Sequence, residues 1–379
     1  MADAVVVPAN VLGVRYDITI RRGLLGEAGD MFQALSRSKK AAIVTDSHVG
    51  PRYAGALVES LRKSGVEAIV ATIPAGEDNK TLANISPVYD ALLGAKIERT
   101  TPVLALGGGL VGDMAGFVAA TVLRGLPFIQ VPTTLLAMVD ASVGGKTGVN
   151  HWTGKNLIGA FHQPIAVLID PDVLATLPER EIRGGLAECI KHDIIRDAEG
   201  FAAMERAIAD NGTGIGPASG HARHGQDARA TRIEYLANLV AHNVAIKAKV
   251  VEADPFEKGE RAHLNFGHTF GHAIETISHY DYSHGECVAL GMTAAVRAAT
   301  DLGMIDEASR RRIVALIEKT GLPVRGLRLD TQAVVEAMIF DKKVKGGRIR
   351  FVLPDRIGHV VIRDDVPPEI VTAAVESLR

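Results

Sequence analysis

Cysteine is nearly absent from this chain: Cys189 and Cys287 are the only two in 379 residues. Two thiols are too few for a disulfide framework, and both are expected reduced. Charge of one sign is lacking as well. A net charge of -2 gives no general electrostatic reason to bind nucleic acid or an anionic membrane, so any recognition of anions must be local. The opening stretch MADAVVVPANVLG has no basic segment, and no apolar run is long enough to cross a bilayer. The expected location is the cytoplasm. Internal repeats and low-complexity tracts are missing too, and the length favours two domains over one core.

What is present begins as an α/β pattern. VRYDITI (14–20) alternates apolar and polar residues, as a half-buried strand does, and LLGEAGDMFQAL reads as a helix. Short apolar strands at 41–46, 66–74, the start of 101–121 and 166–171 alternate with helical stretches, one of them running through Pro87. That alternation predicts a parallel sheet wound with helices. TPVLALGGGLVGDMAGFVAAT (101–121) places three consecutive glycines between a strand and a helix opening near Leu110. Glycine lets a ligand approach the backbone, and a helix N-terminus offers free N–H groups and a positive dipole end, so the pattern points to a phosphate site, the alternative being a tight turn that merely needs glycine. It matches neither GxGxxG nor GxxxxGK[ST]. Asp113 is placed to accept from a ribose or nicotinamide group, or to suit the helix dipole. The loop AGEDNKT (75–81) is a second place for a ligand. Farther on, Arg124, Asp140, Lys146 and Lys155 stand singly among glycines and apolar residues, and GGKTG and TGKN read as backbone loops folded around an ammonium and a small anion.

From Pro178 long helices take over. Glu188 and Lys191, three apart, share a helix face, and their glycine and apolar neighbours indicate burial. Cys189 points about 100° away from Glu188 on that helix, so a small buried apolar role suits it better than a metal. Residues 211–227 read as an exposed Gly-rich loop whose His221 and His224 are weak metal candidates. The densest chemistry lies in RAHLNFGHTFGHAIETISHYDYSH (261–284), which gathers His268, His272 and His284 with Asn265 and Arg261. His268 and His272, four apart on a helix, face one pocket, and paired histidines with a carboxylate leave zinc an open position for substrate or water. The spacing by itself puts both of these histidines on the metal. A hairpin over 348–362 and a last helix from about Pro367 complete the pattern.

GGGLVGD, QVPTTLLAMVDASVGGKTGVN, GKNLIGAFHQP, LPEREIRGGLAECIKH, LNFGHTFGHAIE, SHGE and DKKV together resemble the 3-dehydroquinate synthase family, in order, from about residue 14 to 362. The resemblance implies a Rossmann-like NAD-binding α/β domain over 1–177, a mainly α-helical zinc- and substrate-binding domain over 178–379, and an active site in the cleft between them. It makes Glu188, His268 and His284 the zinc ligands, with cobalt as the alternative metal, and His272 a catalytic neighbour. It assigns NAD to Asp46, Gly76, Glu77, Lys80, Gly109, Val111, Gly112, Asp113, Thr133, Thr134, Asp140, Lys146, Lys155, Val173 and Thr176. Substrate contacts would fall to Arg124, Lys146, Asn156, Lys191, Lys247, Arg261, Asn265, His272 and one or both of Lys342 and Lys343.

The implied reaction belongs to the shikimate pathway of aromatic amino acid biosynthesis. It converts 3-deoxy-D-arabino-heptulosonate 7-phosphate to 3-dehydroquinate and phosphate by transient oxidation, β-elimination, reduction and aldol closure. A homodimer is implied too. The segment Asp254-Pro255-Phe256-Glu257 departs from the family's usual acid-Glu-Arg-Glu but keeps both outer acids, and the departure falls on no named catalytic position. Rival readings are another sugar phosphate cyclase, a metal-dependent polyol dehydrogenase and a dinucleotide sensor without chemistry.

Overall fold

The computed structural model describes residues 4–209, 226–278, 281–343 and 349–379, without the side chains of 226–228 and 340–343. His221 and His224 lie outside the described residues, as do the side chains of Lys342 and Lys343. Two compact units are present: Met1–Leu177 with Leu236–Pro255, and Pro178–Tyr235 with Phe256–Arg379. The expected division at 177/178 treated each domain as one continuous stretch, whereas Leu236–Pro255 clusters with the first unit. Two contacts give the reason: the Asn10 amide donates to Glu252 Oε1 (2.6 Å), and Lys247 Nζ lies 2.5 Å from Asp140 Oδ1.

The first unit is α/β. It runs β1 (Val5–Val11), β2 (Val14–Ile20), α1 (Ala28–Leu35), β3 (Lys40–Asp46), α2 (Gly50–Lys63), β4 (Glu67–Ile73) and α3 (Leu82–Gly94), then β5 (Val103–Gly107), α4 (Gly109–Thr121), β6 (Phe128–Pro132), β7 (Lys146–His151), β8 (Gly154–Phe161) and β9 (Ala166–Ile169). Seven strands form one sheet in the order β1-β2-β9-β6-β5-β3-β4, with only β1 antiparallel to its neighbour. β3, β5, β6 and β9 are buried along nearly their whole length and mostly apolar, because helices cover a parallel sheet on both faces. α4 is buried nearly all round, with Met114, Ala115 and Val118 fully inside. Gly112 and Gly116 make its close approach feasible, since a Cβ there would lie 2.9 Å from Gln130 Oε1 and 2.4 Å from Thr147 Cγ2.

Two strand sets differ from expectation. VVVPANV is strand β1, where Pro8 lacks the donor a central strand needs but sits at a sheet edge. The GGKTG and TGKN stretches, read as loops, form the antiparallel hairpin β7–β8. Glycines of the hairpin serve pairing: a Cβ on Gly159 would fall 2.0 Å from Thr147 O, and one on Gly148 2.4 Å from Ile158 O.

The second unit is mainly helical: α5 (Glu179–Arg196), α6 (Ala198–Ala209), α8 (His268–Ile277), α9 (His284–Asp301), α10 (Glu307–Lys319), α11 (Thr331–Lys343), the hairpin β10 (Phe351–Arg356) and β11 (His359–Arg363), and α12 (Pro368–Glu376). The 28-residue α7 (Gln226–Ala253) contributes its first part here and its larger part to the first unit. Among the described residues no helix is long and apolar enough to cross a membrane.

Candidate active site and metal centre

In the second unit the motif Ser283-His284-Gly285-Glu286 builds the start of α9 residue by residue. Ser283 accepts a hydrogen bond from the Glu286 amide (3.4 Å), and Glu286 Oε2 accepts one from the Ser283 amide (2.8 Å), which is a capping box. His284 is thereby fixed as the first helical residue. Glu286 also takes a two-pronged contact from Arg180 at the start of α5 (2.9 and 2.6 Å), tying the two helix starts together. Gly285 completes the junction, because a Cβ there would sit 2.3 Å from Gly184 Cα of α5. The FGHTFGH motif follows the same logic. Gly267, at φ +78°, turns the chain into α8 ahead of His268, while Gly271 and Gly291 let α8 and α9 touch backbone to backbone. A Cβ on Gly291 would lie 1.9 Å from Gly267 O, and one on Gly271 2.8 Å from Cys287 O.

These close approaches bring Glu188, His268 and His284 together, with one donor atom of each within 4.8 Å of the others. Glu188 Oε1 lies 3.4 Å from His284 Nε2 and 3.7 Å from His268 Nε2. Lys191, one helical turn along α5, pairs with Glu188, and both side chains are only 1% exposed. His268 Nδ1 meets the Phe266 carbonyl at 3.1 Å, which leaves Nε2 facing the carboxylate. His272 is exposed, with its ring centroid 5.1 Å from that of His268 and 6.2 Å from that of His284. Burial and then the Lys191 ammonium hold His268 well below the ordinary histidine value, so it is a neutral imidazole. At His284 burial opposes the charged form, but hydrogen bonds to Glu188 and Glu275 outweigh it and raise the group to about 9.

Arg261 is buried in the turn before α8, and the Asn265 amide donates to Glu257 Oε1 at 2.6 Å. Glu257 holds a left-handed backbone (φ +58°) to make that contact. Glu257, one of the two outer acids kept in the segment 254–257, thus contacts an expected substrate residue.

In the first unit the expected cofactor residues collect at the carboxyl ends of the parallel strands, where open α/β sheets bind ligands. Asp46 closes β3, Gly76–Lys80 follow β4, the glycine turn follows β5, and Thr133 and Thr134 follow β6. Asp46 Oδ1 accepts from the amides of His48 and Val49, both at 2.8 Å, and so shapes the turn into α2. Gly108 precedes α4 with no side chain capping the helix, and Val111 and Gly112 lie in its first turn. The buried Thr133 hydroxyl has no hydrogen-bond partner, and the Thr134 hydroxyl accepts from the Ala137 amide at 3.1 Å. Val173 and Thr176, beyond β9, both meet the Tyr53 hydroxyl.

Lys80, only 4% exposed, donates to Asp113 Oδ2 (2.6 Å) and Asn156 Oδ1 (2.5 Å). Burial raises the Asp113 carboxyl, and Lys80 works against that shift. Asp113 is thus a partner of Lys80 rather than a group serving the helix dipole alone. Lys247 and Asp140, assigned separately to substrate and cofactor, form one ion pair. Lys146 is exposed at the start of β7, and Lys155 is half-buried on β8. Arg124 is exposed with φ +68°, directly after Leu123 at φ +49°, and two such non-glycine residues in a row concentrate backbone strain at a site expected to bind anions.

Sequence reasoning missed three residues. Asn150 donates to Glu77 Oε1 (2.9 Å) and accepts from the Asn156 amide (2.9 Å), while its own amide donates to the Lys80 carbonyl (2.8 Å). No spacing signals that role. Glu257 was noted only as a retained outer acid and given no role. Glu275, buried on α8, lies 3.6 Å from His284 Nδ1, and its position seven residues after His268, two helical turns on, was a usable signal.

Comparison with known proteins bears directly on these arrangements. The family model for the 3-dehydroquinate synthase N-terminal region matches residues 70–184, and that for the C-terminal region matches 185–344. The chain is 47% identical over 369 residues to a 3-dehydroquinate synthase of Microcystis aeruginosa, covering 97% of each. A 3-dehydroquinate synthase of Nostoc punctiforme is 44% identical over 96% of each chain. Among solved structures, the 2-epi-5-epi-valiolone synthase of Streptomyces hygroscopicus, described with NAD+ and Zn2+ bound, superposes with a TM-score of 0.83 at 30% identity over 96% of each chain. With both halves matched by the family's models and full-length relatives near half identity, this chain belongs to the 3-dehydroquinate synthase family of sugar phosphate cyclases.

Proposed function

We propose that the chain is a 3-dehydroquinate synthase, a carbon–oxygen lyase that converts 3-deoxy-D-arabino-heptulosonate 7-phosphate to 3-dehydroquinate and phosphate. The observation that carries this reading is the Glu188–His268–His284 cluster with the buried Lys191 against it. Full-length relatives at 44–47% identity bear the 3-dehydroquinate synthase name, against 30% for the valiolone synthase.

The donor set fits a divalent metal, zinc or cobalt: one carboxylate and two imidazoles whose Nε2 atoms both face the same Glu188 oxygen. The glycine turn at an uncapped helix start and the partnerless Thr133 hydroxyl at the strand ends fit NAD. When bound, the metal supplies a Lewis acid for a substrate hydroxyl and NAD a hydride acceptor that is restored within each turnover.

The chain's own residues do the rest. Lys191 holds positive charge beside the metal ligands, where a substrate oxygen gains negative character. His272, exposed beside the two ligand rings, accepts the proton of that hydroxyl at its imidazole. Lys146, Lys247, Arg124 and Arg261 bind the carboxylate and phosphate of the substrate, and Asn156 and Asn265 orient it by hydrogen bonds held from behind by Lys80 and Glu257. Lys342 and Lys343 belong to the same substrate set. Asp140 keeps the Lys247 ammonium in one position. The protein works as a cytoplasmic homodimer with neither nucleic acid nor membrane as partner.

The test is phosphate release from that substrate by metal-replete protein with catalytic NAD, with NADH absorbance followed in the same cuvette. Phosphate in many-fold excess over NAD with no net NADH is expected. Steady NADH growth with a polyol would establish the dehydrogenase reading instead, and turnover of a different sugar phosphate alone would make this another cyclase.

A further inference from the structure

We infer that Glu275 is a positioning residue for the metal centre, fixing the tautomer and orientation of His284 without itself binding the ion. This deepens the metal reading given above and rests on it.

Two donor clusters among the described residues share His284: Glu188–His268–His284, and His272–Glu275–His284. They use opposite edges of one ring. Nε2 faces Glu188 at 3.4 Å, and Nδ1 faces Glu275 at 3.6 Å. A neutral imidazole has a single lone pair, so it ligates through one nitrogen and carries a proton on the other. Which nitrogen ligates is set by what the other one meets.

His268 shows the same arrangement independently. Its Nδ1 meets the Phe266 carbonyl, and its Nε2 turns to the same Glu188 oxygen that His284 faces. Both histidines thus present Nε2 to one point and engage Nδ1 with an oxygen behind it. A carbonyl does this for the ring on α8, and a carboxylate does it for the ring on α9. Glu275 is only 6% exposed, so its charge is held where a proton from His284 Nδ1 suits it. Outer partners of this kind raise ligand basicity, and their removal typically weakens metal binding by about 10- to 100-fold. The second cluster is accordingly a support for the first and not a separate metal site.

The experiment is Zn2+ titration of chelator-stripped full-length protein against a chromophoric competitor, comparing wild type, Glu188→Ala, Glu275→Ala and Glu275→Gln. Expected are one ion per chain in wild type and in both Glu275 variants, with affinity about 10- to 100-fold weaker in Glu275→Ala. Glu275→Gln should recover most of it, because its amide oxygen still accepts from Nδ1–H. A change of general packing would not be rescued in that way. The imidazole N–H proton resonance of zinc-loaded His284 should be present in wild type and Glu275→Gln and lost to exchange in Glu275→Ala.

Loss of stoichiometric binding in Glu275→Ala, equal to that in Glu188→Ala, would make Glu275 a ligand and overturn the inference. Unchanged affinity in Glu275→Ala, with binding abolished in Glu188→Ala, would remove Glu275 from the centre while leaving the metal reading intact. Unchanged binding in Glu188→Ala would sink the metal reading itself.

Discussion

Replacing Lys191 by Met removes the cation from an ion pair whose two side chains are each 1% exposed. Deleting one member of a buried pair leaves an uncompensated charge and costs about 3–5 kcal/mol. Glu188 keeps His284 at 3.4 Å and His268 at 3.7 Å, and His284 carries positive charge at neutral pH, so the lower figure applies. A loss of about 3 kcal/mol is roughly two orders of magnitude in an opening equilibrium. The only tryptophan, Trp152, lies in the first unit, so its fluorescence does not report on this change. Hydrogen exchange of α5 peptides in metal-free protein does, and protection there should fall about a hundredfold in Lys191→Met. The pair Glu188→Gln with Lys191→Met removes both charges and should restore most of the protection, since isosteric replacement of a buried pair is close to neutral. Zinc added to the single variant should restore protection as well. Unchanged α5 exchange in Lys191→Met, or a double variant no better protected than the single one, would refute the reasoning.

Because the His284 value is raised to about 9 in metal-free protein, the stability this adds is fully present below the unfolded value near 6.5 and is lost as pH climbs through about 9. The thermal midpoint of chelator-treated protein should therefore fall over that window, and scanning calorimetry of His284→Ala should show a smaller fall. Gly291→Ala would place a Cβ 1.9 Å from Gly267 O, forcing α8 and α9 apart at a cost of about 3 kcal/mol or more, read as a lower melting temperature together with reduced zinc stoichiometry. Lys80→Met breaks the tie among Asp113, Asn156 and the loop after β4, so NAD affinity measured by fluorescence titration should drop at least about tenfold while zinc content stays at wild type. Asn150→Ala should raise both the NAD dissociation constant and the substrate KM, since its side chain holds Glu77 and Asn156 at once; a change in neither would remove it from the site.

Much of the fold was legible because periodicity reports burial directly. β3, β5 and β9 are short apolar runs, and α8 shows its apolar face at helical spacing. β1 escaped because Pro8 interrupts its pattern, and the β7–β8 hairpin escaped because glycine is a poor strand former that is tolerated there by cross-strand crowding. The three metal-capable residues came from the resemblance. Spacing alone paired His268 with His272, whereas Nε2 of both His268 and His284 points to Glu188, a convergence made by helix packing that a linear pattern does not contain. Asn150 and Glu257 act on other side chains with no spacing that marks the role, so only the fold reveals it, whereas Glu275 was marked by its place two helical turns after His268.

The discontinuous first unit has a consequence for synthesis. Residues up to Leu177 carry every strand of the large sheet, yet the unit takes in Leu236–Pro255, including the Lys247 that meets Asp140. A ribosome must add about 60 more residues after Leu177 before that segment begins, which at about 5–20 residues per second takes roughly 3–12 s. Throughout that interval the nascent sheet exists without the helical segment that completes its unit, and Asp140 waits without Lys247. A chaperone that holds the nascent chain over this window should raise the yield of folded protein, while one that acts only after release should do less.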